Sequence, residues 1–147
     1  MQKLSETGTY TVSDRVLRAV QAEFSCGFCT DAQGAQTIGK TFRENHYLLD
    51  THTAVACTVL DAYRSGTGDQ TLTVVESTAS PFKFCASVLD ALGVTEHAPG
   101  TGVLGQLTAE TGRPAPTPLA SLAGKPVRFD QVTDRGDMRA VVTEFLR

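Results

Sequence analysis

The chain contains 147 residues, of which 41% are hydrophobic, and its 13 basic and 16 acidic residues leave a formal net charge of -3. This length predicts one domain, residues 1–147, with enough buried surface for a core of its own. The mild acidic charge, without long runs of either sign, argues against nucleic acid or an anionic membrane as the main partner. We find no signal peptide and no membrane-spanning segment, and therefore expect a cytoplasmic protein.

The first part of the chain predicts three helices. Residues 1–6 read as the tail of a helix, as if they continued an upstream segment, and Ser13 is a suitable N-cap for a second helix. The apolar residues of that second helix recur at helical spacing: Val16, Leu17, Val20 and Phe24. Thr30 and Gln33 have the spacing of a capping box, which predicts a third helix that ends near Asn45.

A fourth, strongly apolar helix follows the third. An apolar segment that begins at Tyr47 leads to Asp50 and Thr51, and either of these two residues is a suitable N-cap. Gly66 and Gly68 predict the end of the helix. Because the residues between these limits are apolar on nearly all sides, we expect the helix to be buried.

A short strand followed by a helix is predicted in the middle of the chain. Residues 72–75 are an apolar, β-branched run that ends in the hydroxyl-bearing Ser77 and Thr78. Ser80 is a suitable N-cap, and Pro81 suits the first helical position. The apolar face of this helix is Phe82, Cys85, Leu89 and Leu92. In open α/β sheets, ligands bind where a strand leads into a helix, so Ser77 and Thr78 are candidate ligand contacts.

The last third of the chain predicts shorter elements. Residues 103–107 and 119–122 predict short helical segments, residues 126–129 an edge strand, and residues 137–147 a closing helix. Together with the strand at 72–75, these elements predict an α/β fold.

Cys26 and Cys29 have the CxxC spacing of zinc and redox sites. A zinc site needs two further ligands, and no second CxxC or paired-histidine motif supplies them. A thioredoxin-type motif opens a helix directly after a strand, and residues 24–25 make a poor strand. We therefore interpret these cysteines, with Cys57 and Cys85, as reduced thiols, and expect no metal site.

Classical catalytic residues are hard to identify. His52 is a conceivable general base, but the positive end of a helix disfavours the imidazolium and no nucleophile pairs with it. The alternative is a histidine that holds the helix start through hydrogen bonds. Ser77 lies outside any GxSxG-like turn, Lys83 reads as a solvated lysine, and no glycine-rich phosphate-binding loop occurs. We assign no catalytic residue.

Two motifs make the chain resemble the C-terminal part of the threonine synthases. These are pyridoxal-phosphate (PLP) enzymes of the tryptophan-synthase-β type that convert O-phosphohomoserine and water to threonine and phosphate. Residues 47–55, YLLDTHTAV, resemble the family's D-P-H-T-A-V segment and the residues before it, and residues 77–84, STASPFKF, resemble its S-T-A-x-P-x-K-F segment. Both motifs occur in the family's order, and the resemblance covers nearly the whole chain.

The chain departs from the family pattern at two positions of these motifs. Thr51 replaces the usual proline, and Ser80 stands where many members have histidine. The lysine that holds the cofactor and the glycine-rich phosphate loop belong to an upstream region of the family. None of the four lysines here lies in a matching context: Lys3, Lys40, Lys83 and Lys125.

The resemblance implies a fold, a site and a function. The fold is a helix-rich, three-layer fragment with a small, mainly parallel sheet, part of the large PLP-binding domain of a fold-type-II enzyme. The Thr78 hydroxyl faces the pyridine nitrogen of PLP, with Ser77 beside it, and the substrate of the full enzyme is O-phosphohomoserine. Alone, the fragment is expected to be inactive and to lack PLP.

The alternative function is a non-catalytic α/β association module derived from the same fold. With either function, a homodimer is plausible through the apolar surface that the missing half of the domain would cover.

Overall fold

The computed structural model describes residues 2–146. Within these residues, helices are the only regular secondary structure. The helices, in chain order, are α1 (Gln2–Thr7), α2 (Asp14–Glu23), α3 (Asp31–Asn45), α4 (Thr51–Thr67), α5 (Cys85–Ala91), α6 (Gly102–Thr111), α7 (Thr117–Ala120) and α8 (Met138–Phe145). Two 3-10 turns, Pro81–Lys83 and Ser121–Gly124, precede α5 and follow α7. Met1 and Arg147, which bounded the first and last predicted helices, lie outside the described residues.

The predicted sheet is wrong, and with it the α/β class, the three layers and both strands. Residues 72–75 have no regular secondary structure, and Leu72 and Val74 are 92% and 84% exposed. A strand is stable only when a neighbouring strand accepts its N–H groups and donates to its carbonyls, and no segment among residues 2–146 does so here. Residues 126–129 are likewise irregular, and Val127 is 85% exposed.

The predicted helix caps are confirmed. In α3 the Thr30 backbone N–H donates to Gln33 Oε1 at 2.8 Å, and the Gln33 backbone N–H donates to Thr30 Oγ1 at 3.3 Å, which is a capping box. Asp50, of the two alternatives, is the N-cap of α4, and Gly68 ends that helix in the left-handed conformation with φ 73°. Local hydrogen bonds therefore set these helix limits.

The core lies between α3, α4, α5 and α6. Helix α3 packs against α4 and α5, and α5 packs against α6. The buried apolar residues are Ile38, Leu48, Leu49, Ala54, Phe82, Cys85, Val88, Leu89 and Leu107. The apolar face predicted for the helix after Pro81 is thereby confirmed, although its first turn is a 3-10 turn capped by the Ser80 hydroxyl.

Helix α4 is only partly buried, contrary to the prediction. Its buried residues are Thr53 and Ala54, whereas Val55 and Tyr63 are 40% and 38% exposed. Helix α3 packs against α4, and within residues 2–146 no sheet covers its remaining apolar side chains. No helix in the same residues combines the length and the apolar character that a membrane crossing requires.

Helices α3 and α5 approach each other closely at Gly39. A Cβ atom placed on this residue would lie 2.6 Å from the carbonyl oxygen of Ala91 and 2.9 Å from Nη1 of Arg43. Real Cβ atoms do not approach backbone oxygen so closely, so the contact requires glycine. The next turn of the chain is also constrained, because His46 ends α3 at φ 53° and its carbonyl accepts a hydrogen bond from Arg113 at 2.6 Å.

Candidate functional site

The site is built around the carboxylate of Asp50, which is 1% exposed. Its Oδ1 accepts the backbone N–H groups of His52 at 2.8 Å and Thr53 at 3.3 Å, the first free donors of α4. Its Oδ2 accepts the hydroxyl of Thr53 and, at 3.3 Å, the hydroxyl of Ser77. Both oxygens are therefore used by protein donors, as a buried charge requires.

Ser77 joins the two sequence motifs in space. It lies 27 positions after Asp50, and its Oγ is also 3.0 Å from Oγ1 of Thr53 on the first turn of α4. The sequence identified Ser77 as a candidate, but it identified Asp50 only as an alternative cap and missed Thr53. The available signal was the spacing of an aspartate N-cap and a hydroxyl three residues later, which places both at one helix start.

Thr78, the second candidate, has different surroundings. It is exposed, and its hydroxyl has no hydrogen-bond partner within residues 2–146. A cofactor contact through Thr78 stays a prediction. Lys83 is exposed at the end of the 3-10 turn before α5.

His52 lies beside the network without entering its centre. Its Nδ1 is 3.3 Å from Oδ1 of Asp50, its ring centroid is 5.0 Å from that of Phe84, and its side chain is 66% exposed. These contacts agree with the interpretation that the histidine holds the start of α4 through hydrogen bonds.

The surroundings of Asp50 lower the pKa of its carboxyl group. Burial acts in the opposite direction and raises the pKa, but the hydroxyl of Thr53, the backbone N–H groups of His52 and Thr53, and the His52 side chain together outweigh it. The carboxylate is therefore the form that the folded protein stabilises.

A pH dependence of stability follows from this lowered pKa. Because the pKa is lower in the folded than in the unfolded state, the Asp50 contribution is complete above about pH 4, the unfolded value, and is lost as the pH falls through the folded value. Urea unfolding between neutral and acidic pH would measure it. Asp50→Asn removes the titration, so the variant should lose less stability in acid than the wild type. Parallel losses would contradict the assignment.

The four cysteines are free thiols that differ in exposure. Cys26 is exposed, Cys29 and Cys57 are half-buried, and Cys85 is buried and donates to the carbonyl of Phe82 at 3.2 Å. Burial raises the pKa of the Cys57 and Cys85 thiols. Within residues 2–146 no three histidine, cysteine, aspartate or glutamate side chains are grouped as a metal site would require.

A groove of about 520 Å³ lies between the first half of α3, the first turns of α4 and helix α5. It is lined by Cys29, Thr30, Asp31, Ala32, Gly34, Ala35, Ile38, Thr51, Val55, Ser87 and Asp90. Two of these residues are acidic and none is basic, and the Gln33 N–H at the start of α3 is already bonded to Thr30. The groove is therefore unsuited to a phosphate group.

Comparison with known proteins identifies relatives of the chain. The family described as "Threonine synthase, C-terminal" matches residues 53–143. The threonine synthase of Schizosaccharomyces pombe is 33% identical over 93 residues, which are 63% of this chain and 18% of that protein. Human threonine synthase-like 1 is 27% identical over 94 residues, which are 64% of this chain and 12% of that protein.

A solved structure extends the similarity to three dimensions. The crystal structure of PLP-bound threonine synthase from Brucella melitensis has a TM-score of 0.52 to this chain at 30% identity, and the match covers 77% of this chain and 23% of that one. The chain therefore spans less than a quarter of each of these relatives.

Proposed function

Since this chain belongs to the threonine synthase C-terminal family, we propose that it is the C-terminal part of an enzyme that converts O-phosphohomoserine and water to threonine and phosphate. The observation that carries the proposal is the contact of Ser77 with Asp50 and Thr53. It brings together the two segments whose sequences resemble the family. A chance resemblance in either segment alone would not require the two to meet.

The residues of the site fit the pyridine nitrogen of PLP but supply neither the lysine that would hold the cofactor nor a loop for its phosphate. The hydroxyls of Ser77 and Thr78 suit a pyridine nitrogen, because a hydroxyl both donates and accepts a hydrogen bond. When bound, PLP supplies the electron sink for the carbanion chemistry of the reaction. The lysine that would hold the cofactor and a glycine-rich loop for its phosphate have no counterpart in this sequence. We propose that this chain provides only the wall that faces the ring nitrogen.

The chain is expected to be inactive by itself. The purified chain, mixed with PLP and O-phosphohomoserine, should release no phosphate, whereas the complete polypeptide of which it forms the C-terminal part should release phosphate and form threonine. Borohydride reduction followed by peptide mapping is the control. A stable PLP adduct on Lys3, Lys40, Lys83 or Lys125, or phosphate release by the chain alone, would contradict inactivity. A complete polypeptide without synthase activity would contradict the main proposal.

A non-catalytic association module is the alternative. It is favoured by exposed apolar side chains outside the core, among them Phe24 at 73%, Leu72 at 92% and Val74 at 84%. Such a surface is suited to a homodimer as well as to the remainder of a larger domain. Light scattering and dye binding test the association module. A chain that stays monomeric at high concentration and binds no dye for apolar surface is not such a module.

A further inference from the structure

The neighbouring hydroxyls of Ser77 and Thr78 are held very differently. The Ser77 oxygen is 3.3 Å from Oδ2 of Asp50 and 3.0 Å from Oγ1 of Thr53. Both residues are exposed, but the Thr78 hydroxyl has no partner within residues 2–146. Two adjacent hydroxyls, which the sequence presents as equivalent, are therefore not equivalent in the structure.

The hydrogen atoms of this cluster can be assigned from chemistry. An ionised carboxylate only accepts hydrogen bonds, so the hydroxyl hydrogen of Ser77 points to Asp50. Asp50 is 1% exposed, and water cannot readily replace Ser77 as the donor. Ser77 has one hydrogen, and its oxygen accepts the hydroxyl of Thr53. Ser77 can therefore only accept a hydrogen bond from a ligand, whereas Thr78 keeps both a hydrogen and lone pairs.

We propose that Asp50 is the positioning residue of the candidate site: it holds Ser77 as an acceptor-only hydroxyl, so that Thr78 is the one of these two hydroxyls that can donate a hydrogen bond to a ligand. This inference rests on the proposed function. Asp50 touches no ligand and acts through Ser77 and Thr53. Because Thr53 belongs to α4 and Asp50 caps that helix, the position of Ser77 is tied to a core helix and not to the loop alone.

The first test measures the hydrogen bonds that Ser77 and Thr53 donate to Asp50, in the chain itself and without a ligand. The Asp50 carboxyl is titrated by carbon-13 NMR in the wild type and in Ser77→Ala, Thr53→Val and Thr78→Val variants. The first two variants remove a donor and should raise the titration midpoint of Asp50, while Thr78→Val should leave it unchanged. His52→Gln controls for the histidine ring, whose Nδ1 lies 3.3 Å from Oδ1 of Asp50. An unchanged midpoint in Ser77→Ala would overturn the proposal.

The second test uses the complete PLP-loaded enzyme and reads the cofactor spectrum as well as activity. Thr78→Val should shift the pH dependence of cofactor absorbance and lower kcat by about tenfold, the effect of one lost hydrogen bond. Thr78→Ser should restore both. Asp50→Asn, whose amide can donate to Ser77, should shift the same spectrum. Thr53→Val removes the hydroxyl that contacts Asp50 and Ser77 but keeps the backbone N–H that Asp50 caps, so it should shift the spectrum as well.

The outcomes separate this inference from the proposed function. A larger spectral shift in Ser77→Ala than in Thr78→Val would overturn the division of roles. A complete polypeptide that binds no PLP would overturn the proposed function, and the Asp50 titration in the chain would still decide whether Ser77 is held as described.

Discussion

Replacing Leu89 by alanine is expected to lower the free energy of unfolding by about 2–5 kcal/mol, the usual cost of a large cavity in a packed core. Leu89 is 0% exposed and lies on α5, the helix that packs against both α3 and α6. The surrounding helices can close such a cavity only by moving together. Urea unfolding followed by circular dichroism measures the change, and a loss of this size is a large fraction of a small domain's stability.

Leu72→Ala is the matched control, because it makes the same chemical change at a residue that is 92% exposed. Its effect should stay within about 0.5 kcal/mol. The pair of variants also decides between the observed helical core and a core that includes residues 72–75. Equal losses in the two variants would mean that this segment is packed, which contradicts the structure.

Gly39→Ala is expected to cost about 1–3 kcal/mol, the range for overpacking a close contact. The added Cβ would lie 2.6 Å from the carbonyl oxygen of Ala91, and neither backbone can move without separating α3 from α5. The contact with Arg43 adds less, because the end of that side chain is flexible. Thermal and urea unfolding should both show the loss.

Gly105→Ala controls for the effect of alanine on helix propensity. Gly105 lies inside α6, and a Cβ atom there would have no other atom within 4 Å. The substitution should stabilise the protein by about 0.5–1 kcal/mol, because alanine loses less backbone entropy in a helix. If Gly39→Ala were also stabilising, the close approach of α3 and α5 would be disproved.

The helices could be predicted from the sequence because their limits depend on neighbouring residues. The capping box of Thr30 and Gln33, the Asp50 cap and the end of α4 near Gly68 each involve residues a few positions apart. The apolar face of α5 was visible for the same reason, since its spacing is a property of one helix.

The sheet was predicted wrongly because strands depend on distant partners. Residues 72–75 have β-branched side chains, but this preference acts only when a second strand lies alongside. The same limit explains α4, whose apolar sequence is compatible with contacts on all sides and here has α3 on one. In the site, Ser77 could be named from its motif, whereas its bond to Asp50 crosses 27 positions and no local pattern encodes it.

The arrangement of the core also has a consequence for the order of folding. The helix pairs α3–α4 and α5–α6 join neighbours in the chain, and we expect these local pairs to form early. The contact between Asp50 and Ser77 requires the segment between α4 and α5 to close, which costs chain entropy before any bond forms. We therefore expect the candidate site to form later than these local helix pairs.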